Sequence, residues 1–209
     1  MVDYESLIVG TIAIGLVLAL VTFAWVTHKL SSTQQVKEVI QPKLTPAAER
    51  DGIGNGYIEL TDDCERKFLL FGGAYRSKPE GMIGVKMAAE INKACNIDIP
   101  TRDFSTPDMG LFKEGLDLAL GAMEREGEIY VGCMGGFGRT GLFITCFYTM
   151  WNLKYHPEVM TELRTHGSRR LLKNMLEEVR ARYCPHAVET DAQFDFCVEY
   201  ISGEMIGKL

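Results

Sequence analysis

The chain lacks the cysteine and histidine spacings from which metal and redox sites are built. Its six cysteines (Cys64, Cys95, Cys133, Cys146, Cys184, Cys197) form no CxxC pair, and its four histidines (His28, His156, His166, His186) fall at no ligand spacing. That excludes a zinc ribbon and a thioredoxin-type site, and no metal or other cofactor is expected. Positive charge is also scarce. A formal net charge of -6 argues against broad nucleic-acid binding, because a protein that relies on phosphate contacts carries a basic surface. No nucleic-acid partner is expected, although a local basic pocket remains compatible. Neither an internal repeat nor a low-complexity segment is present. What remains is globular in composition, 46% hydrophobic and 24% charged, with thiols scattered through apolar segments as in a reducing compartment.

Charge is absent altogether from residues 7–27, "LIVGTIAIGLVLALVTFAWVT". At about 1.5 Å per residue this run matches the roughly 30 Å hydrocarbon core, which predicts a transmembrane helix. A cleaved signal peptide fits less well: the segment opens with Asp3 and Glu5 and has no A-x-A site. No Lys or Arg precedes the span, whereas Lys29, Lys37 and Lys43 follow it, so the C-terminal bulk is expected to face the cytoplasm. The stretch after it is polar, with two prolines and then Gly52, Gly54 and Gly56. It reads as a tether. The expected organisation is therefore an anchor over 1–28, a linker over 29–56 and a catalytic domain over 57–209.

In the soluble part, apolar runs alternate with helical patterns. "KFLLF" (67–71) reads as a strand, 81–95 as a helix and "IDIP" as a short strand. Residues 109–126 read as an amphipathic helix with Leu111, Leu116, Leu118 and Met123 toward the core. "EIYVGC" (128–133) is a short buried strand, and 140–155 a mostly apolar helix. Strands separated by helices imply an α/β domain with a central, mostly parallel sheet flanked by helices. Sites in such sheets form at the carboxyl ends of strands, and Cys133 lies at one.

Between Cys133 and Arg139 stand Met134, Gly135, Gly136, Phe137 and Gly138. Three glycines in five residues let the backbone turn its N–H groups toward one point, and the helix that follows adds its positive end. Such a loop is a cup for a tetrahedral dianion. Arg139 offers paired N–H donors to phosphate oxygens, the same surroundings favour the ionised sulfur of Cys133, and Thr140 is placed to donate its hydroxyl to that sulfur. "VGCMGGFGRTG" resembles the C-x5-R-[ST] loop of the cysteine-based protein phosphatases, nearest in look to the compact dual-specificity type. The resemblance covers about residues 57–203. It implies a Cys133 nucleophile, phosphate binding by Arg139 and residues 134–138, and a residue on an upstream loop that acts as general acid and then as general base toward water. Asp103, thirty positions before Cys133 in "IPTRDFSTPDMG", is favoured; Asp108, twenty-five before, has an alternative reading as a helix cap. Near the end, "AVETDAQ" is similar to the family's segment carrying the water-positioning glutamine, which falls on Gln193. Phe137 is either a substrate-contacting rim residue or a plug into the domain. The basic cluster at 164–173 reads as a solvated helix start in preference to a dock for acidic substrates or the inner membrane surface.

One departure bears on activity: the family usually has histidine before the cysteine, and here the position is Gly132. The implied activity is hydrolysis of phosphotyrosine in proteins, with phosphoserine and phosphothreonine as further candidates, through a phosphocysteine intermediate. The alternatives are a phosphatase of phosphoinositide or RNA 5'-triphosphate, or a membrane-tethered phosphate-binding pseudophosphatase. Expected partners are a phosphorylated protein and, through the N-terminal helix, a membrane.

Overall fold

The computed structural model describes residues 44–45, 47–50 and 52–205. The span expected over 7–27 lies outside the described residues, as does most of the linker. Among the described residues no helix is long and apolar enough to cross a membrane.

Five strands form one sheet: β1 (Gly56–Thr61), β2 (Lys67–Ala74), β3 (Ile83–Ala88), β4 (Ile97–Thr101) and β5 (Glu128–Cys133). Their spatial order is β1-β2-β5-β3-β4. Only the β1–β2 hairpin is antiparallel; β2–β5, β5–β3 and β3–β4 all run parallel. Among the described residues the helices are a single turn α1 (Ala47–Arg50), then α2 (Met109–Glu126), α3 (Gly138–Tyr155), α4 (Pro157–His166), α5 (Ser168–Arg182) and α6 (Asp191–Met205). The mostly parallel α/β sheet expected from the sequence is the one found.

Two expectations are corrected. Residues 81–95, expected as a helix, give strand β3 and then an irregular run to residue 96. Val85, Met87 and Ala88 are fully buried because β3 is an inner strand covered on both faces, so the run lacks the alternation that marks a half-exposed strand. Helix α2 has the expected bounds but a different buried face: Phe112, Gly115, Leu116, Ala119, Ala122 and Met123 face the core, while Leu111 and Leu118 are exposed. The core stripe there is small residues around one aromatic ring. Phe112 sets its edge against Phe143, Phe196 and Tyr200 at 5.7, 5.0 and 5.1 Å between centroids, joining α2, α3 and α6 over the sheet.

The opposite face of the sheet carries Leu69, Phe71 and Tyr130, and Leu44, Ile53, Tyr57 and Met82 cover them. Thr45 donates through its N–H and hydroxyl to the Glu128 carboxylate at 2.7 and 2.9 Å. The described part of the stretch expected as linker, from residue 44 on, therefore belongs to the domain. Its glycines suggested a tether, but its few apolar residues close an otherwise bare sheet face.

Helix α3 is buried on nearly every side. Its core threonines bond back to the helix, Thr145 to the Gly141 carbonyl at 2.7 Å and Thr149 to the Thr145 carbonyl at 2.8 Å, so no hydroxyl among these two is left bare. Arg139 stands in the first turn of this buried helix.

Candidate active site

Strand β5 delivers Cys133 to the carboxyl end of the sheet, where the residue is buried at 4% exposure. Gly132 lies between Gly73 of β2 and Lys86 of β3 in the parallel ladder. The 3-10 turn Tyr75–Ser77 starts directly against it. A Cβ at position 132 would stand 2.7 Å from the Tyr75 Cα, 2.8 Å from its N and 2.9 Å from the Gly73 carbonyl oxygen. All three are backbone atoms. Glycine at this position is thus a packing requirement of this chain, and a histidine would have to displace the end of β2.

The loop that follows is held from outside. The Asn55 side-chain amide donates to the Gly135 carbonyl at 2.9 Å and to the Gly136 carbonyl at 3.3 Å, and the Tyr183 hydroxyl also donates to Gly136. In a trans peptide the C=O and N–H point opposite ways, so fixing the Gly135 carbonyl outward turns the Gly136 N–H inward. That N–H donates to Cys133 Sγ at 3.3 Å. Gly136 has φ +82°, where a Cβ would sit 2.4 Å from the Gly73 carbonyl carbon. Burial, and then the neighbouring Cys184 and Cys133 thiols, push the Tyr183 phenol well up, so it stays a proton donor to the loop. Sequence reading missed both straps. Asn55 stood among the glycines of the supposed tether, and nothing near Tyr183 marks it in one dimension.

Arg139 is 2% exposed and spans the ends of β4 and the β3–β4 connection. Nη1 and Nη2 donate to the two Glu90 carboxylate oxygens at 2.9 and 2.7 Å, and Nη1 donates also to the Thr101 carbonyl at 2.8 Å. Asp103 Oδ1 pairs with Nη2 at 2.9 Å. Burial pulls the guanidinium down, but the Glu90 hydrogen bonds and the Cys133 and carboxylate charges outweigh it and hold its pKa above the ordinary value. The reciprocal hydrogen bond from Arg139 lowers Glu90. Glu90 was missed because it sits in the run read as a helix.

The two aspartates divide by geometry. Asp108 accepts from Leu111 N–H at 3.0 Å as the N-cap of α2, whereas Asp103 lies against Arg139 at the mouth. Gln193 is fully buried; its Oε1 accepts from Glu189 N–H at 2.9 Å and its Nε2 donates to the Ser105 carbonyl at 3.4 Å. It joins the α6 entrance to the Asp103 loop. Thr140 is buried too, and its hydroxyl has no hydrogen-bond partner among the described residues, Cys133 Sγ included. Gly138, the first residue of α3, donates its N–H to Glu189 Oε2 at 2.9 Å. Exposed Met134, Phe137 and Phe104 are the apolar side chains near the site. Phe137 packs its ring against His186 at 6.1 Å rather than plugging the domain. Ala89, Glu90, Arg102, Asp103 and Met134 line an open groove of about 570 Å³.

No protein-family model matches the chain. It is 33% identical over 106 residues to the uncharacterized protein MJ0215 of Methanocaldococcus jannaschii, covering 49% of this chain and 53% of that protein. The chain thus spans about half the length of this relative. Among solved structures, kinase associated phosphatase (KAP), with its catalytic site cysteine substituted by serine, matches with a TM-score of 0.50 at 14% identity, over 73% of this chain and 97% of its own. PTPMT1 in complex with PI(5)P matches at 0.47 and 15% over 67% and 94%, and Tk-PTP in the active form at 0.44 and 22% over 58% and 78%. The likeness to kinase associated phosphatase is one of fold, an α/β domain with a mostly parallel sheet flanked by helices.

Proposed function

We propose that this chain is a cysteine-dependent phosphoric monoester hydrolase acting on phosphotyrosine in proteins. The observation that carries the reading is the joint setting of Cys133 and Arg139: an N–H of the loop aimed at the sulfur, and a buried guanidinium locked by Glu90 beside it. An incoming phosphoryl group replaces Asp103 on Arg139 Nη2, and the loop N–H groups take its equatorial oxygens. Cys133 attacks phosphorus in line while Asp103 protonates the leaving phenol oxygen. Asp103 is exposed on its loop, so it is free to turn from the guanidinium to the leaving group. Water then cleaves the phosphocysteine.

Several features favour a substrate with a single phosphoryl group. Residues 134–138 carry no charge, and Glu90, Asp103 and Glu189 stand around the mouth, an arrangement unfavourable to a polyphosphorylated lipid headgroup or a triphosphate end. The charge-free run at 7–27 is proposed as an anchor that keeps the domain at the cytoplasmic face of a membrane. The test is phosphate release by the full chain from a phosphotyrosine peptide, a phosphoserine peptide, a phosphoinositide and a triphosphate-ended RNA. The phosphotyrosine peptide is expected to turn over fastest, and only with Cys133 intact. Faster release from lipid or RNA refutes the substrate assignment, and peptide binding without release makes the protein a phosphate-binding module.

A further inference from the structure

We propose that Asn55 is a positioning residue of this site: its side-chain amide sets the direction of the loop N–H groups that receive the phosphoryl oxygens, so the working catalytic unit begins upstream of residue 57. The inference rests on the phosphatase reading above. Three of the five residues 134–138 are glycine, which takes up positive and negative φ about equally readily. The freedom that lets the loop N–H groups converge also lets a peptide unit turn over. A turned unit would aim a carbonyl oxygen, instead of an N–H, at Cys133 Sγ and at the phosphoryl oxygens. Gly132, just before the sulfur, has no side chain with which to prevent this. The lock has to come from another part of the chain.

Asn55 supplies it. Its Nδ2 donates to the Gly135 carbonyl at 2.9 Å and to the Gly136 carbonyl at 3.3 Å, so one amide grips two consecutive peptide units. Both partners are carbonyl oxygens, which only the NH2 end of the side chain can serve. In trans peptides this turns the Gly136 and Phe137 N–H groups to the opposite side of the loop, where the first of them meets Cys133 Sγ at 3.3 Å. Tyr183 supports only the second unit, through the Gly136 carbonyl. Among the described residues the Gly135 carbonyl, whose peptide unit carries the N–H facing the sulfur, is held by Asn55 alone.

Three segments are shaped to let the amide come so near. The Asn55 N–H donates to the Gly72 carbonyl at 2.7 Å, laying this backbone on the end of β2. A Cβ on Gly54 would stand 2.2 Å from the Gly72 oxygen, one on Gly73 2.7 Å from Gly54 Cα, and one on Gly136 2.6 Å from Asn55 Nδ2. A side chain at any of the three would push Asn55 and the loop apart. Asn55 itself is exposed, so replacing it separates loop geometry from the stability of the core.

The experiment compares the full chain as wild type, Asn55→Ala and Asn55→Leu in three readouts: kcat and KM for 4-nitrophenyl phosphate, the Kd of tungstate by calorimetry, and Tm by circular dichroism. Leucine is a neutral near-isostere that fills the space of the amide without a donor. Both variants are expected to keep the wild-type Tm and to lose about 10-fold or more in kcat, up to the ~10²–10³-fold that outright removal of one such donor costs. Tungstate, as a phosphate-shaped dianion, should bind both about 10-fold or more weakly. Asn55→Leu equal to wild type in kcat and Kd shows a packing role and overturns the inference, as does a loss of turnover that follows a loss of fold. Wild type that binds tungstate but releases no nitrophenol overturns the phosphatase reading, and the Kd values alone then judge Asn55. Wild type that does neither overturns both.

Discussion

Replacing Gly132 by alanine puts a methyl group where three backbone atoms of the β2 end already stand, 2.7–2.9 Å away. Side-chain carbons do not approach backbone so closely, and none of the three atoms belongs to a flexible side chain that could move aside. Either β5 or the Tyr75 turn must shift. Overpacking of this kind costs about 1–3 kcal/mol. For a domain of this size, with ~2–4 °C per kcal/mol, Tm should fall by roughly 2–12 °C. Gly132→His carries the same Cβ and a larger ring, so it should lose at least as much. Because Gly132 directly precedes the sulfur, a shift on the order of 1 Å lowers aryl phosphate turnover by about 10²-fold. Thermal unfolding by circular dichroism and turnover of 4-nitrophenyl phosphate read the two effects. Gly203→Ala serves as the control, since a Cβ there meets nothing within 4 Å in the last turn of α6, and it should be neutral or slightly stabilising. A Gly132→His protein as stable as wild type and faster in turnover would refute the reasoning and restore the view that the site merely lacks a histidine.

Two further expectations concern the carboxylates. Asp108→Ala should cost about 0.5–2 kcal/mol of stability through the lost α2 cap and leave turnover nearly intact, while Asp103→Ala should lower turnover by ~10²–10⁴-fold with little change in Tm; the reverse pattern exchanges their roles. Glu90 has its folded pKa depressed by Arg139, so its contribution is full above the ordinary carboxylate value of 4.5 and is lost as pH falls through the depressed value. The stability advantage of wild type over Glu90→Gln, followed by urea unfolding, should therefore shrink as pH drops below 4.5, and a difference that stays constant to low pH would count against the ion pair.

The parts of the site legible in sequence were those that are local in the chain. The β5 strand, its glycine loop and α3 are contiguous, and their periodicity and glycines specify strand, turn and helix in order. Asp108 also declared itself, because a helix cap is a neighbour of the helix it serves. What stayed hidden is carried by contacts between distant segments. Asn55 reaches the loop across 80 residues, Glu90 reaches Arg139 across 49, and Glu189 reaches Gly138 across 51. Each was obscured by its surroundings. The β3 run buries its residues on both faces and so resembles a helix core, and the glycines around Asn55 resemble a linker although they let the chain lie flat on the sheet. Leu111 and Leu118 misled for a related reason: size suggested burial, but α2 meets the sheet through Phe112 and small residues. Gly132 is the clearest case, since only the Tyr75 turn starting against it explains why the position carries no side chain.

The central claim is that Cys133 is a nucleophile toward phosphorus. Its most direct test is to quench the full chain in acid during turnover of a phosphotyrosine peptide, digest it, and weigh the peptide that contains Cys133. The account predicts the mass gain of one phosphoryl group on that peptide in wild type, and neither mass gain nor phosphate release in Cys133→Ser. Phosphate release by Cys133→Ser at the wild-type rate, or a phosphoryl group carried on a different peptide, would contradict it.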